Sequence, residues 1–224
     1  MNLISVEKAT SLWYFHLPDL NPRNRGLNKI PEVLAERYSF AKIPSLLDAY
    51  EAAQKNDGVE FLGGTFVNSR GESTKVDLYL YKQGLTADSG SCTEDTDEFL
   101  SDVLEWIPKM LSLPEVSELK PTKRYISNVN IKVNGSLGSI NPNLAKFCSL
   151  IRESLSDPAS QVLELGGLSF YSDPATNQYP SIRDFHIRRA KDEPFSDERY
   201  WSSAPVESAK HMRLLEAFEK LLAV

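Results

Sequence analysis

Asp184, His186 and Glu193 stand within one short stretch, "RDFHIRRAKDE". A carboxylate beside an imidazole is a proton-transfer pair, and two carboxylates near a lysine can hold a catalytic metal. The three residues would form the unfamiliar site of a hydrolase or nuclease. The nuclease order Asp…Glu-x-Lys is broken, because Lys191 precedes Glu193. An exposed strand end with mixed ion pairs accounts for the same residues. Cys92 offers a second pairing, with His186. It lies in a loop before a helix start, where a thiol pKa can fall. The acids that flank it act in the opposite direction.

Metal chemistry finds no pattern. His16, His186 and His211 have no second ligand at i+2, i+3 or i+4. The acidic stretch "ADSGSCTEDTDEF" fails as a calcium loop: position twelve counted from Asp88 is Phe99, and position six counted from Asp95 is Leu100. No cofactor and no metal are expected, and no catalytic motif rises above background.

Charge points to the class of partner. The chain of 224 residues carries a formal charge of −6. Up to Ser112 there are 11 Lys/Arg against 17 Asp/Glu, and from Leu113 onward 14 against 14. Phosphate binding draws on clustered cations, so nucleic acid is an improbable partner, above all for the first half. Asp88, Glu94, Asp95, Asp97, Glu98 and Asp102 form a run with no Lys or Arg among them. A solvated helix start tolerates such a run, and a basic partner would exploit it. No stretch is apolar enough to cross a bilayer, the first residues lack a signal-peptide pattern, and two cysteines make no disulfide scaffold. A cytoplasmic protein without membrane contact is expected.

The elements that would position these residues read as strands and helices in mixed order. "SLWYFHL" (11–17) reads as a first strand, "PEVLAERYSF" as a short helix and "PSLLDAYEAAQKNDG" as a longer one. "VDLYLY" has period two, with Val76, Leu78 and Leu80 on one face and Asp77, Tyr79 and Tyr81 on the other. It pairs with "FLGGTFV" across the turn "NSRGES", and "QGLTADSGS" supplies a further short strand. Then come a helix capped by Thr96 and ended or kinked by Pro108, and a strand over 124–133. A helix capped by Asn141 follows. Its apolar stripe is Leu144, Phe147, Cys148, Ile151 and Leu155. A last helix capped by Ser203 carries Leu215, Phe218 and Leu222 on its core side.

Leu-Gly-Gly occurs twice, at Gly63-Gly64 and Gly166-Gly167. A phosphate cradle needs its glycines between a strand and a helix start, and both pairs lead into another strand instead. Glycine in a strand marks a bulge or a close backbone approach. Each pair is followed by a strand, an acidic-and-serine loop and a helix, which reads as a weak internal duplication of a hairpin-then-helix unit, about 59–113 and 163–224.

The expected fold is therefore α+β, with one or two mostly antiparallel sheets flanked by helices, and residues 1–224 forming a single cooperative domain. The expected function is that of a non-catalytic protein-binding module. Such a module would be an immunity or inhibitor protein, or a complex subunit in a bacterial or phage conflict system. Its binding residues would be Tyr79, Tyr81, Glu94, Asp95, Asp97 and Glu98, facing a protein with a basic surface.

Overall fold

The computed structural model describes residues 1–16, 29–45, 58–110, 120–155, 162–173, 175 and 184–222. In chain order the elements are β1 (Asn2–Tyr14), α1 (Ile30–Tyr38), β2 (Val59–Val67), β3 (Ser73–Tyr81), β4 (Gly84–Ser89) and α2 (Thr93–Met110). There follow β5 (Thr122–Lys132), α3 (Pro142–Glu153), β6 (Gly167–Phe170), β7 (Phe185–Arg189), β8 (Arg199–Ala204) and α4 (Ser208–Leu222). The strands form one eight-stranded antiparallel sheet in the order β2-β3-β4-β1-β5-β8-β7-β6. The architecture is α+β, as the strand and helix periods predict. Among the described residues the order strand, helix, three strands, helix occurs twice.

Two compact units divide the chain. Unit 1 comprises residues 1–7, 128–205 and 209–224, and unit 2 comprises 8–127 and 206–208. In unit 2 the face of the sheet carrying Val76, Leu78, Leu85, Ala87 and Trp13 packs on Phe99, Leu100, Val103 and Leu104 of α2. Burying a side chain such as Phe99 stabilises the unit by roughly 1.5–3 kcal/mol. Tyr38 and Phe66 meet the Phe99 ring edge-on, at 4.9 and 5.5 Å between centroids. In unit 1 Val129, Ile131, Ile187 and Tyr200 of the sheet pack with Leu137 and with Leu215 and Leu222 of α4.

Several expectations are corrected. β1 begins at Asn2 rather than at Ser11 and ends at Tyr14. Its first residues do alternate, as Ile4-Ser5-Val6-Glu7, but Glu7-Lys8 reads as a break. Helix α2 starts at Thr93, not after Thr96, and Thr96 is buried in its first turn with its hydroxyl donating to the Thr93 carbonyl at 3.0 Å. Pro108 does not end that helix, which runs on to Met110. Helix α4 starts at Ser208, five residues beyond the expected cap, because Ser203 and Ala204 belong to β8. The longer helix expected from Pro44 falls almost entirely outside the described residues.

Helix α3 forms where its pattern predicts. The Asn141 side chain accepts from the Asn143 N–H, and Pro142 lies in the first turn. Its apolar stripe is not core: Phe147 is 58% exposed and Ile151 40%, and Leu144, Cys148 and Leu155 are only half-buried.

The glycine pairs do structural work of two kinds. In β2 the register jumps between Phe61↔Leu78 and Gly64↔Val76, so Leu62 and Gly63 together oppose Asp77. Gly63 takes φ +69°, and its N–H donates to Asp77 Oδ1 at 2.7 Å. This is a bulge with glycine in the left-handed region. A Cβ on Gly167 would lie 2.7 Å from the Ile187 carbonyl oxygen, so β6 and β7 approach too closely for any side chain there.

Candidate functional site

In unit 2, helix α2 covers one face of the sheet and Tyr79 and Tyr81 lie on the other. The period of β3 dictates this: Val76 and Leu78 are buried, and Asp77, Tyr79 and Tyr81 project from the opposite face. Register sets their neighbours. Asp77 pairs with Asp88 and Asp88 with Thr10, Tyr79 with Thr86 and Thr86 with Leu12, and Tyr81 and Tyr14 both with Gly84. Tyr14 and Tyr81 are thereby placed on one row, 38% and 37% exposed. A Cβ on Gly58 would lie 2.6 Å from the Tyr81 ring, so the ring rests directly over Gly58 and would have to shift for any side chain there.

Carboxylates surround these rings. Asp88 accepts from the Thr10 hydroxyl at 2.6 Å and pairs with Lys8 at 2.6 Å. Burial, followed by the charges of Asp88, Asp77 and Glu60, pushes the Tyr79 phenol up to about 12. Sequence periodicity found the two tyrosines. It put Asp77 on their face as well, but missed Tyr14 and Glu60, which join them through cross-strand register.

The acidic run has a different fate. Glu94 is exposed and accepts from the Thr93 hydroxyl at 3.3 Å, and its acidic neighbours also have partners inside unit 2. Asp95 is 5% exposed and accepts from Asn68 Nδ2 at 2.9 Å and Arg70 Nη2 at 3.0 Å. Burial raises its pKa, but the hydrogen bonds of Asn68, Ser91 and Cys92 and the Arg70 charge outweigh that, and the net direction is down. Asp97 accepts from Trp13 Nε1 at 2.5 Å and from Lys123 at 2.7 Å. Glu98 takes the Ser69 N–H at 2.6 Å and its hydroxyl at 3.2 Å. Asp102 accepts two nitrogens of Arg37 and the Tyr38 hydroxyl, the last at 2.5 Å. The expectation of a solvated acidic face is therefore corrected for Asp88, Asp95, Asp97, Glu98 and Asp102. Nor do Asp95, Asp97, Glu98 and Asp102 join the tyrosines: they lie on the helix that covers the other side of the sheet, whereas Asp88 stands in β4 on the tyrosine side. Cys92 sits among them, and burial, reinforced by the charges of Asp95 and Glu94, pushes its thiol up to about 11. That is the reverse of what a nucleophile needs.

In unit 1 two of the three proton-transfer candidates, His186 and Glu193, are bonded to other residues. His186 Nδ1 hydrogen-bonds the Ser169 hydroxyl at 2.8 Å, and its ring meets Tyr171 edge-on. Glu193 accepts from Arg199 Nη1 at 2.8 Å. Asp184 is half-buried just before β7. The hydrogen bonds of His186 and Glu193 lead to different partners. His211 is fully buried and bonded to the Ser202 hydroxyl at 2.9 Å, with its ring against Phe185. Among the described residues no three His, Cys, Asp or Glu side chains are grouped to hold a metal.

Unit 1 also holds an open cavity of about 540 Å³. Ser5, Glu7, Asn130, Arg188, Lys191 and Trp201 are among its lining residues. Glu7 takes the Trp201 indole N–H, Asn130 Nδ2 donates to Ser5 Oγ at 3.1 Å, and the Arg188 guanidinium lies 5.8 Å from the Trp201 ring centroid. Sequence reasoning named none of these six as site residues. Five of them lie on β1, β5, β7 and β8, and Lys191 lies in the turn after β7.

No family model and no curated protein matches the chain. Among solved structures, Methanococcus jannaschii TBP is similar at a TM-score of 0.40 and 13% identity, over 99% of this chain and 97% of that one. Among the described residues no helix is long and apolar enough to cross a membrane.

Proposed function

We propose that the chain is a non-catalytic protein-binding module that meets a basic protein through the tyrosine-bearing face of unit 2. The observation that carries this reading is the row of Tyr79, Tyr81 and Tyr14 on the side of the sheet away from α2, set among Glu60, Asp77 and Asp88. Tyrosine brings large contact area at low entropic cost and is frequent among the residues that dominate binding energy. The net charge of −6 would draw a basic partner into encounter and discriminate against acidic ones. An immunity or inhibitor protein, or a complex subunit in a bacterial or phage conflict system, fits such a surface. Catalysis finds less support, since His186 and Glu193 bond elsewhere and the Cys92 thiol is pushed up.

The test is affinity capture from the native host with the wild-type chain and with Y79S/Y81S, each verified as folded by circular dichroism. A protein retained by the former and lost by the latter supports the reading. Its association rate should fall steeply between 0.1 and 1 M salt, where the screening length shrinks from about 10 to about 3 Å. Equal capture by both chains overturns the reading.

A further inference from the structure

The cavity of unit 1 is a separate matter from the tyrosine face. Its cations are not equally committed. Arg199 is paired with Glu193, and Arg189 with Glu164 and Glu198. Arg188 and Lys191 are exposed and have no carboxylate partner among the described residues. Trp201 also lines the cavity, half-buried, its indole N–H taken by Glu7 and Arg188 beside its ring. Unpaired cations next to a fixed aromatic ring in a concave site form a receptor for a carboxylate joined to an apolar group.

Charge narrows the ligand class. With Arg189 committed to Glu164 and Glu198, Arg188, Lys191 and Arg199 are set against Glu7 and Glu193 around the cavity, a formal surplus of one positive charge. That surplus suits a carboxylate. It is too small for a nucleic-acid backbone, which needs a row of phosphate contacts, and the Glu7 and Glu193 carboxylates would repel a phosphate dianion. The volume admits one or two side chains of a peptide.

We propose that this cavity binds an acidic peptide segment, with a carboxylate between Arg188 and Lys191 and a neighbouring apolar side chain against Trp201. The proposal goes beyond the protein-binding reading and does not rest on the tyrosine face. The probe is a fluorescein-labelled peptide, SFEDS, measured by fluorescence anisotropy against its amide counterpart, SFQNS. The acidic peptide is expected to bind at least about tenfold more tightly, and R188A/K191A to remove that preference. W201A should weaken both peptides, because it deletes the apolar contact. Equal affinity for the two peptides overturns the proposal, and so does a preference unchanged in R188A/K191A. Absence of saturable binding overturns it too, as does displacement of the probe by inorganic phosphate or single-stranded DNA more readily than by unlabelled SFEDS. Peptide binding and capture of a host protein are independent readouts, so a peptide that binds while no host protein is captured rejects the function proposed above and leaves this site standing.

Discussion

Replacing Glu94, Asp95, Asp97 and Glu98 one at a time by their amides should give four unequal results. Asp95 dominates. It is 5% exposed and accepts from Asn68 at 2.9 Å and Arg70 at 3.0 Å. In D95N one oxygen can keep one donor, but the new amide N–H group turns toward another donor, and Arg70 loses a charged acceptor. Hydrogen bonds to charged groups contribute about 1.5–3 kcal/mol each, and a buried polar group left unpaired costs about 1–3 kcal/mol. With partial relaxation the net loss is about 2–3 kcal/mol. For a chain of this size that lowers Tm by roughly 5–10 °C. E94Q, at an exposed position, should stay within about 0.5 kcal/mol of the parent. D97N and E98Q fall between, because an amide oxygen still accepts from Trp13 or Ser69. The acid limb of the stability curve adds a second readout. The folded Asp95 pKa is depressed, so its stabilisation is present above the unfolded value of about 3.9 and is lost as pH falls through the folded value. D95N should therefore lose less stability than the parent over that window. Urea unfolding of each variant, from about pH 7 to about pH 2, measures both effects. A D95N chain as stable as the parent at neutral pH, with the same acid limb, would refute the assignment of Asp95 as a structural acid.

Thr93 and Ser208 exchange bonds, the Thr93 N–H donating to Ser208 Oγ at 3.0 Å and the Ser208 N–H to Thr93 Oγ1 at 2.7 Å. T93A and S208A should each cost about 1–2 kcal/mol in urea unfolding, and a change under about 0.5 kcal/mol in both would show the caps to be idle. F147S on the exposed stripe of α3 should be nearly neutral, whereas F99A, in the core of unit 2, should cost about 3–5 kcal/mol; similar losses would contradict the burial assigned to both. Ultraviolet titration should find one tyrosine ionising near 12 that disappears in Y79F. Far-ultraviolet circular dichroism and tryptophan fluorescence should report one coincident unfolding transition, and release of two stable fragments by cleavage between Leu113 and Thr122 would contradict a single cooperative unit.

Local order was legible where it rests on period and cap chemistry. The alternation of "VDLYLY" set which face Tyr79 and Tyr81 occupy, and Asn141-Pro142 marked the start of α3. Amphipathic spacing in α3 says only that the helix has an apolar side. It cannot say whether anything covers that side, and Phe147 and Ile151 of the stripe lie exposed. The acidic run misled for a related reason. The partners of Asp95, Asp97 and Glu98 are Asn68 and Arg70, Trp13 and Lys123, and Ser69, all brought in by tertiary structure. The stretch "RDFHIRRAKDE" holds Arg188, Lys191 and Glu193 of the cavity of unit 1, but the rest of its lining comes from β1, β5 and β8, and no local pattern links those strands.

The division into units has a consequence for biosynthesis. Unit 1 takes residues 1–7 from before unit 2 and everything from 209 onward, while unit 2 takes 206–208 from after most of unit 1. A ribosome makes the chain in order, so the stretch with most of the core of unit 2 emerges first and must wait. Ser208, the partner of Thr93, arrives only when nearly all of the chain has been translated. Residues 1–7 wait until β5, their neighbour in the sheet, has been made, where Asn130 meets Ser5. During that interval the nascent chain exposes unpaired strand edges, a state in which chaperone dependence and misassembly between neighbouring chains arise.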